Sequence, residues 1–113
     1  MQKQVPDHIF RGYDLRGLTG SELNAETVAL IGKGYATWLL QRRIYDCVLG
    51  YDCRLTSPEF HDVLVRELTG SGVTVYDIGM TLSQITYFAC YYFRTKGMIM
   101  ITASHNPKEY NGF

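Results

Sequence analysis

The amino-acid sequence predicts an α/β fold, a three-layer α/β/α arrangement around a mainly parallel four-stranded sheet. Helix-period segments alternate with strand-like segments, in the order βαβαβαβ, along 113 residues. Such alternation indicates parallel strands whose right-handed crossovers place helices on both faces of the sheet. The last strand-like segment, residues 98–101, is apolar at every position, which is typical of a central strand buried on both faces. A chain of this length has room for one compact domain.

The first half of the chain predicts two strands and a helix. Residues 9–15 indicate a short strand, interrupted by the glycines and arginines of FRGYDLRG. Asn24 suits the N-cap of a helix that runs to about residue 42, because its side chain can accept hydrogen bonds from free backbone N–H groups. The apolar face of this helix has helical spacing and consists of Val28, Ile31, Tyr35, Trp38 and Leu39. Residues 45–52, YDCVLGYD, then predict a strand that ends in a polar turn.

The second half predicts two helices and two more strands. Ser57-Pro58 is a strong helix start, an N-cap serine with proline at the first helical position. The buried stripe of this helix is Phe60, Val63, Leu64 and Leu68, and a glycine at 70 or 72 ends it. Residues 73–78, VTVYDI, alternate with period two and predict a strand. An aromatic-rich helix over about 82–94 leads into the final strand, GMIMIT.

Composition restricts the class of partner. Hydrophobic residues form 46% of the chain and charged residues 19%, values that fit a folded globular protein. Eleven basic and eleven acidic residues cancel, so we expect no nucleic-acid partner and no membrane-surface partner. No apolar run approaches the roughly 20 residues that span a bilayer. The first ten residues lack the apolar core of a signal peptide, and we therefore expect a cytoplasmic protein.

The three cysteines, Cys47, Cys53 and Cys90, do not form a recognisable metal or redox motif. Their number is odd, and their spacing matches neither a zinc site nor a C-x-x-C pair. We expect free thiols that behave as small, mostly buried apolar side chains.

Four segments are expected to meet at one edge of the sheet. In parallel sheets, ligands collect at the carboxyl ends of the strands. The segments that follow the predicted strand ends are residues 11–17, 51–56, 77–82 and 102–111. We call this edge the rim, and the sequence predicts that a binding site lies there.

Ser104 is placed by the pattern on an ordered loop just beyond the last buried strand. Asn106-Pro107 favours a turn there, and Asn111-Gly112 indicates a second turn. A serine in such a loop often only bonds the turn backbone, and this interpretation stays open. A hydrolase is disfavoured because no G-x-S-x-G motif is present. His105 points away from its neighbour in extended chain, and the other histidines, at 8 and 61, lie outside the rim segments.

Cationic side chains in the rim segments suggest an anionic ligand. They are Arg11, Arg16, Arg54 and Lys108, with His105 beside them. Guanidinium and ammonium groups suit a phosphate dianion. The alternative is structural ion pairing, with Asp14 and Asp52 as partners for the arginines. The GKG at 32–34 is not a P-loop, since the required lysine pattern is missing and the segment lies within a predicted helix.

The motifs together resemble one enzyme family. MIMITASHNPKEYNGF is similar to the active-site serine loop of the α-D-phosphohexomutases, and IFRGYDLRG to their N-terminal signature. GYDCRLTSPEF and VYDIGMTLSQITYFA follow in the family's order, and the bacterial phosphomannomutase/phosphoglucomutase branch is the most similar. The resemblance implies that residues 1–113 are the N-terminal catalytic-serine domain, incomplete at its C-terminal end, of a four-domain enzyme. In the full domain the sheet would be mixed.

The resemblance also implies a mechanism and a cofactor. Ser104 would carry a phosphoryl group, donate it to a hexose 1- or 6-phosphate to give a bound bisphosphate, and then take back the other phosphate. Mg²⁺ would bind the phosphate oxygen of Ser104 together with aspartates that lie outside this chain. A sugar 1,6-bisphosphate would be the intermediate and the activator.

Further site residues are implied by their match to family positions. Arg16 and His105 would join Ser104 as catalytic residues, Arg16 through proton transfer or transition-state stabilisation. The substrate and its phosphate would be bound by Tyr13, Arg11, Asn106 and Lys108. Two departures from the family pattern stand out: Tyr51 replaces a usual arginine, and Leu82 replaces a common proline.

Two alternatives remain beside this interpretation. The chain could be a stand-alone phosphosugar-binding or regulatory module without catalysis, or it could belong to the phosphoglucosamine mutase branch. We expect the isolated chain to be inactive, because the metal ligands and the phosphate clamp would lie in the remaining domains of the parent chain. Those domains and the phosphosugar are the expected partners. An uncovered sheet edge would favour self-association.

Overall fold

The computed structural model describes residues 16–102 and 110–113 and has the predicted α/β architecture. The elements are β1 (Arg16–Leu18), α1 (Ala25–Gln41), β2 (Asp46–Tyr51), α2 (Ser57–Gly70), β3 (Thr74–Met80), α3 (Ser83–Phe93), β4 (Met98–Ile101) and β5 (Tyr110–Gly112). The strand predicted at residues 9–15 lies outside the described residues. In the part of the chain that the structure describes, none of the helices is long and apolar enough to cross a membrane.

The strands form a parallel sheet and a separate antiparallel pair. Within the described ranges, the parallel sheet has three strands in the order β3-β2-β4, and β1 pairs with β5 in antiparallel register. The mainly parallel sheet is thereby confirmed, and β2 is the middle strand of the three that the structure describes. Both β2 and β4 read as short apolar runs in sequence, so the sequence does not indicate which of them lies in the middle.

Layers follow from the alternation of side chains along the strands. Cys47 and Leu49 of β2 join Ile99 and Ile101 of β4 in a core cluster with the buried faces of α1 and α2. Because successive side chains point to opposite faces of a sheet, Met100 points the other way, where it accepts a hydrogen bond from the α3 hydroxyl of Thr86 at 3.2 Å. The sheet therefore lies between α1 and α2 on one side and α3 on the other.

Helix α1 begins as predicted. The Asn24 side-chain oxygen accepts hydrogen bonds from the backbone N–H groups of Glu26 and Thr27, each at 3.1 Å. The Thr27 hydroxyl accepts one from the Asn24 N–H at 3.0 Å, which completes a capping box. Further along α1, a Cβ on Gly32 would lie 3.1 Å from the Cβ of Glu67. Gly32 therefore allows α1 and α2 to pack closely.

Helix α2 begins one residue earlier than predicted. Thr56 is the N-cap and makes no side-chain capping bond, while Ser57 is already the first helical residue, followed by Pro58. The prediction of Ser57 as the N-cap is wrong because its hydroxyl is used elsewhere. Ser57 Oγ donates a hydrogen bond of 2.6 Å to Asp52 Oδ1.

A β-bulge interrupts β3 near its carboxyl end. Leu49 pairs with Asp77, whereas Gly50 pairs with Gly79, so that one residue of β3 is left without an opposite partner. Gly79 has a φ of 72°, which glycine adopts without strain. Asp77 Oδ1 accepts a hydrogen bond from the Gly79 N–H at 3.0 Å, and this bond fixes the bulge next to the rim.

The three cysteines are free, as predicted, but only Cys47 is fully buried. Cys53 is exposed, because it lies in the turn after β2 rather than in the strand. The expectation of burial is therefore correct for Cys47 and wrong for Cys53. Burial, with a smaller contribution from the charge of Asp46, raises the pKa of the Cys47 thiol to about 12.

Stability is expected to fall at alkaline pH because of Cys47. Above about pH 8.5 the unfolded thiol loses its proton while the folded thiol keeps it, so the free energy of unfolding falls by up to about 1.4 kcal/mol per pH unit. The loss continues until the folded pKa of about 12. Urea unfolding between about pH 8 and 11 should show a shallower fall for Cys47→Ala than for the wild type. Cys53→Ala is the control, and equal slopes for the two variants would contradict the prediction.

Candidate active site

The described parts of the rim segments lie together, as the sequence predicts. The Asp52 N–H donates a hydrogen bond of 3.0 Å to the Ile101 carbonyl, and the Thr81 N–H donates one of 2.8 Å to the Tyr51 carbonyl. Residues just after β2, β3 and β4 are therefore neighbours. In the first rim segment, residues 11–17, Gly17 pairs with Asn111 of β5. The carboxyl ends of the parallel strands and the β1–β5 pair thus meet at one edge.

Most of the predicted site residues fall outside the described residues. These are Arg11, Tyr13, Ser104, His105, Asn106 and Lys108. Arg16 begins β1 opposite Gly112, and only its backbone is described. What the structure does describe is the stem of the serine loop, because Thr102 donates its N–H to the Gly112 carbonyl at 2.9 Å. The two residues that flank the serine segment, Thr102 and Gly112, are therefore joined by a backbone hydrogen bond.

Asp52 organises the turn between β2 and α2. Its Oδ1 accepts hydrogen bonds from Ser57 Oγ at 2.6 Å and from the Arg54 N–H at 3.0 Å. Its Oδ2 accepts one from Arg54 Nε at 3.2 Å. The side chains of Asp52 and Arg54 are only 20% and 14% exposed, so this pair is well shielded from water. The structural ion pair considered for Arg54 is therefore present.

Asn111 connects this turn to the stem of the serine loop. Its side chain is fully buried. Asn111 Nδ2 donates hydrogen bonds to Thr56 Oγ1 at 2.9 Å and to Ser57 Oγ at 3.0 Å. The Oδ1 atom accepts one from the Gly112 N–H at 2.9 Å. The prediction of a turn at Asn111-Gly112 is wrong, because these contacts and pairing with β1 hold the segment as a strand.

His61 lies close to the rim, although sequence reasoning placed it outside. Its Nε2 is 2.7 Å from Asp77 Oδ2, its Nδ1 is 2.9 Å from Asp62 Oδ1, and its ring centroid is 5.0 Å from that of Tyr51. Both ring nitrogens thus face carboxylates of the described chain, which agrees with rejecting His61 as a hydrolase base. Tyr51 stands at the position where the family pattern has arginine, and its ring contacts the ring of His61.

Leu82, which replaces a proline that is common in the family pattern, does not disturb the start of α3. Leu82 is the N-cap of α3, with φ −95° and ψ 154°, and it makes no side-chain capping bond. Extended backbone at this position is open to leucine and needs no proline. The side chain is 67% exposed, so the helix start does not depend on its packing.

The described residues alone do not suit a magnesium ion. They contain no group of three or more histidine, cysteine, aspartate or glutamate side chains that could hold a metal. Among the residues that the structure describes, the two aspartates nearest the rim already accept hydrogen bonds, Asp52 from Ser57 and Arg54, and Asp77 from Gly79 and His61. A metal at this rim would need ligands from beyond these residues.

Sequence reasoning missed the residues that frame the loop. From the sequence, Asp52 was considered only as a possible ion-pair partner, Ser57 was predicted only as a helix cap, and Asn111 was predicted only as part of a turn. Asp52 follows a buried strand and comes shortly before Ser57-Pro58. This pattern could have predicted a turn that is stabilised by hydrogen bonds to the aspartate carboxylate. The burial of Asn111 had no signal, since its partners are more than 50 residues away in sequence.

Comparison with known proteins gives one consistent group. A family model described as phosphoglucomutase/phosphomannomutase, alpha/beta/alpha domain I, matches residues 7–113. The chain is 40% identical over 109 residues to phosphomannomutase/phosphoglucomutase of Pseudomonas syringae pv. tomato, covering 96% of this chain and 23% of that protein. It is 44% identical over 103 residues to phosphomannomutase of Escherichia coli, covering 91% of this chain and 22% of that protein.

Solved structures agree in fold. A phosphoglucomutase/phosphomannomutase family protein of Burkholderia thailandensis superimposes with a TM-score of 0.87 at 32% identity, over 97% of this chain and 26% of that chain. A putative phosphomannomutase of Thermus thermophilus superimposes with a TM-score of 0.88 at 28% identity, over 99% of this chain and 25% of that chain. The chain thus spans about a quarter of the length of the proteins that it matches.

Proposed function

Because this chain belongs to the phosphoglucomutase/phosphomannomutase family, within its α/β/α domain I, we propose that residues 1–113 are the N-terminal catalytic-serine domain of a phosphohexomutase. The parent enzyme interconverts hexose 1-phosphate and hexose 6-phosphate, with mannose or glucose as the sugar. Ser104 carries the phosphoryl group. The proposal concerns the whole protein, since this chain spans about a quarter of its relatives.

The stem of the serine loop is the observation that carries this proposal. Residues 103–109 connect the carboxyl end of β4 to β5, and the Thr102–Gly112 hydrogen bond of 2.9 Å joins their two ends. This stem lies at the rim, where ligands of parallel α/β sheets collect. A loop whose two ends are held by the sheet suits the proposed role of Ser104. In that role the serine reacts with the 1-position and the 6-position of one sugar in turn.

The proposed reaction has two phosphoryl transfers. In the first, the bond between the Ser104 oxygen and phosphorus breaks while a bond forms from phosphorus to the oxygen of the free sugar hydroxyl, and the proton of that hydroxyl ends on the freed Ser104 Oγ. After the bisphosphate reorients, Ser104 Oγ takes the other phosphate and a hydroxyl is left on the sugar. Such transfer depends mainly on positioning and on charge stabilisation.

The remaining site residues are assigned by the same family match. Arg16 and His105 act beside Ser104, and Arg16 assists proton transfer or stabilises the transition state. The sugar phosphate is bound by Tyr13, Arg11, Asn106 and Lys108. Mg²⁺ is the proposed cofactor, with the Ser104 phosphate oxygen as its ligand from this chain, and a sugar 1,6-bisphosphate is the activator. The remaining domains of the parent chain supply the other ligands.

Other properties stay at the level of prediction. We propose a cytoplasmic enzyme with no nucleic-acid or membrane partner, and self-association through an exposed sheet edge stays a prediction. The phosphoglucosamine mutase branch is the alternative within the same chemistry. The names of the matched relatives, phosphomannomutase and phosphoglucomutase, favour mannose or glucose. A stand-alone binding module is not favoured.

The isolated 113-residue chain is expected to have no appreciable mutase activity, whereas the protein of the complete reading frame should convert glucose 1-phosphate to glucose 6-phosphate. The reason is that the chain alone lacks most of the charge stabilisation of the transition state, which is often the largest catalytic contribution. A dehydrogenase-coupled assay measures both proteins side by side, with mannose and glucosamine phosphates as further substrates. Activity of the isolated chain would contradict the expected inactivity, and an inactive complete protein would contradict the proposed function.

A further inference from the structure

The side chain of Asn111 is a fully buried amide with all of its described hydrogen bonds directed at the rim. Its Nδ2 donates to Thr56 Oγ1 and Ser57 Oγ at the start of α2, and its Oδ1 accepts from the Gly112 N–H. An apolar side chain would fill the same volume without needing partners. A buried amide is stable only where each polar atom is satisfied, so its position is set by those partners.

The direction of the hydrogen bonds around Ser57 is determined. A serine hydroxyl has one proton, and Ser57 Oγ donates it to Asp52 Oδ1 at 2.6 Å, since the ionised carboxylate can only accept. Ser57 Oγ must therefore accept at 3.0 Å from Asn111 Nδ2. A chain of hydrogen bonds thus runs in one direction from Asn111 through Ser57 to Asp52. A charged acceptor at its end strengthens the chain.

The same residues hold both ends of the serine loop. On the β4 side, the Asp52 N–H donates to the Ile101 carbonyl at 3.0 Å. On the β5 side, Asn111 is bonded to the start of α2, and the next residue, Gly112, receives the Thr102 N–H at 2.9 Å. The β2–α2 turn therefore contacts the chain just before residue 102 and just after residue 110.

We propose that Asn111 is a positioning residue, which fixes both ends of the 103–109 loop against the β2–α2 turn and thereby sets where Ser104 meets the sugar hydroxyl. The proposal rests on the proposed role of Ser104. Asn111 itself touches neither the substrate nor the phosphate in this scheme. Positioning matters strongly for such a reaction, because a misplacement of about 1 Å can cost about 10²-fold in rate.

The kinetic test uses the protein of the complete reading frame. Asn111→Ala is expected to lower kcat by about 10²-fold, with KM for glucose 1-phosphate changed by less than about threefold, because substrate-binding groups are untouched. Thr56→Val removes one hydroxyl acceptor at nearly constant shape and should lower kcat less. Thr56→Ser, which keeps the hydroxyl, should restore most of that loss. The control is Thr69→Ala, which removes a hydroxyl bonded to the Val65 carbonyl at the far end of α2.

Hydrogen exchange measures the same effect independently of activity. In Asn111→Ala and in Thr56→Val, the backbone N–H groups of Thr102 and Gly112 should exchange at least about tenfold faster, as expected for local opening. The N–H of Val73, which donates to the Leu68 carbonyl away from the rim, should be unchanged. Thr56→Val keeps the measurement informative if Asn111→Ala fails to fold.

The outcomes separate this proposal from the function on which it rests. Active wild type, inactive Ser104→Ala and unchanged kcat in Asn111→Ala and Thr56→Val would overturn the positioning role and leave the proposed function intact. An inactive wild type would overturn the proposed function and the catalytic part of this proposal together. Unchanged exchange at Thr102 and Gly112 overturns the anchoring of the loop in either case, and so does equally faster exchange at Val73, which would indicate only global destabilisation.

Discussion

Replacing Ser104 with alanine is expected to abolish interconversion of hexose phosphates in the complete protein, with kcat reduced by at least about 10³-fold. Alanine has no oxygen to which phosphorus can bond, so neither of the two proposed phosphoryl transfers can occur on this residue. Loss of a covalent catalytic group typically costs several orders of magnitude even when binding survives. We expect this to be the largest effect of any single substitution in the chain.

Two measurements check the Ser104→Ala prediction. A dehydrogenase-coupled assay follows turnover, and mass spectrometry of the peptide that contains residue 104 should find phosphate in the wild type after incubation with glucose 1,6-bisphosphate and Mg²⁺. Ser71→Ala is the matched control, an exposed serine just after α2. Wild-type turnover in Ser104→Ala, or phosphate on another residue in its place, would show that Ser104 is not the carrier.

Replacing Gly97 with alanine is expected to reduce the free energy of unfolding by about 3 kcal/mol, the largest structural effect that we predict. An added Cβ would lie 2.5 Å from the Asp46 carbonyl oxygen and 2.7 Å from the Cβ of Cys47. The Asp46 carbonyl oxygen is a backbone atom, so rotation of a side chain cannot relieve this contact. β4 would have to move away from β2, which would break the hydrogen bond of 3.0 Å from the Val48 N–H to the Gly97 carbonyl.

Gly34→Ala is the matched control for Gly97→Ala. Gly34 lies in α1 with nothing within 4 Å of an added Cβ, and alanine there should raise the free energy of unfolding by about 1 kcal/mol through helix propensity. Urea unfolding followed by circular dichroism measures both variants. Equal effects of the two substitutions would mean that the close approach at Gly97 is relieved at no cost.

Local sequence signals predicted those elements whose ends depend on nearby residues. The capping box at Asn24 is made entirely within residues 24–27, and α1 begins where the sequence predicts. The start of α2 was predicted less well, because the Ser57 hydroxyl has a better partner in the Asp52 carboxylate than in the helix backbone. A charged acceptor competes successfully with a neutral capping bond.

The meeting of the described rim segments was predicted, but the side-chain contacts that hold them together were not. The rule that ligands collect at the carboxyl ends of parallel strands placed Tyr51, Thr81 and Thr102 at one edge, and backbone hydrogen bonds in the structure join the described segments there. The order of the strands was not predictable, since β2 and β4 are both short and apolar. The roles of the predicted site residues themselves stay proposals.

The amino-acid sequence by itself determined the α/β class, the alternation of helices and strands, and the rim at which the described segments meet. These properties depend on hydrophobic periodicity and on helix capping, and both are set by residues that are close together in sequence. Only the tertiary structure decided that β2 is central among the described strands, that Asn111 is a buried amide in a strand, and that Gly97 must lack a side chain. Each of these depends on atoms brought together from distant parts of the chain, and no local pattern records which segments will meet.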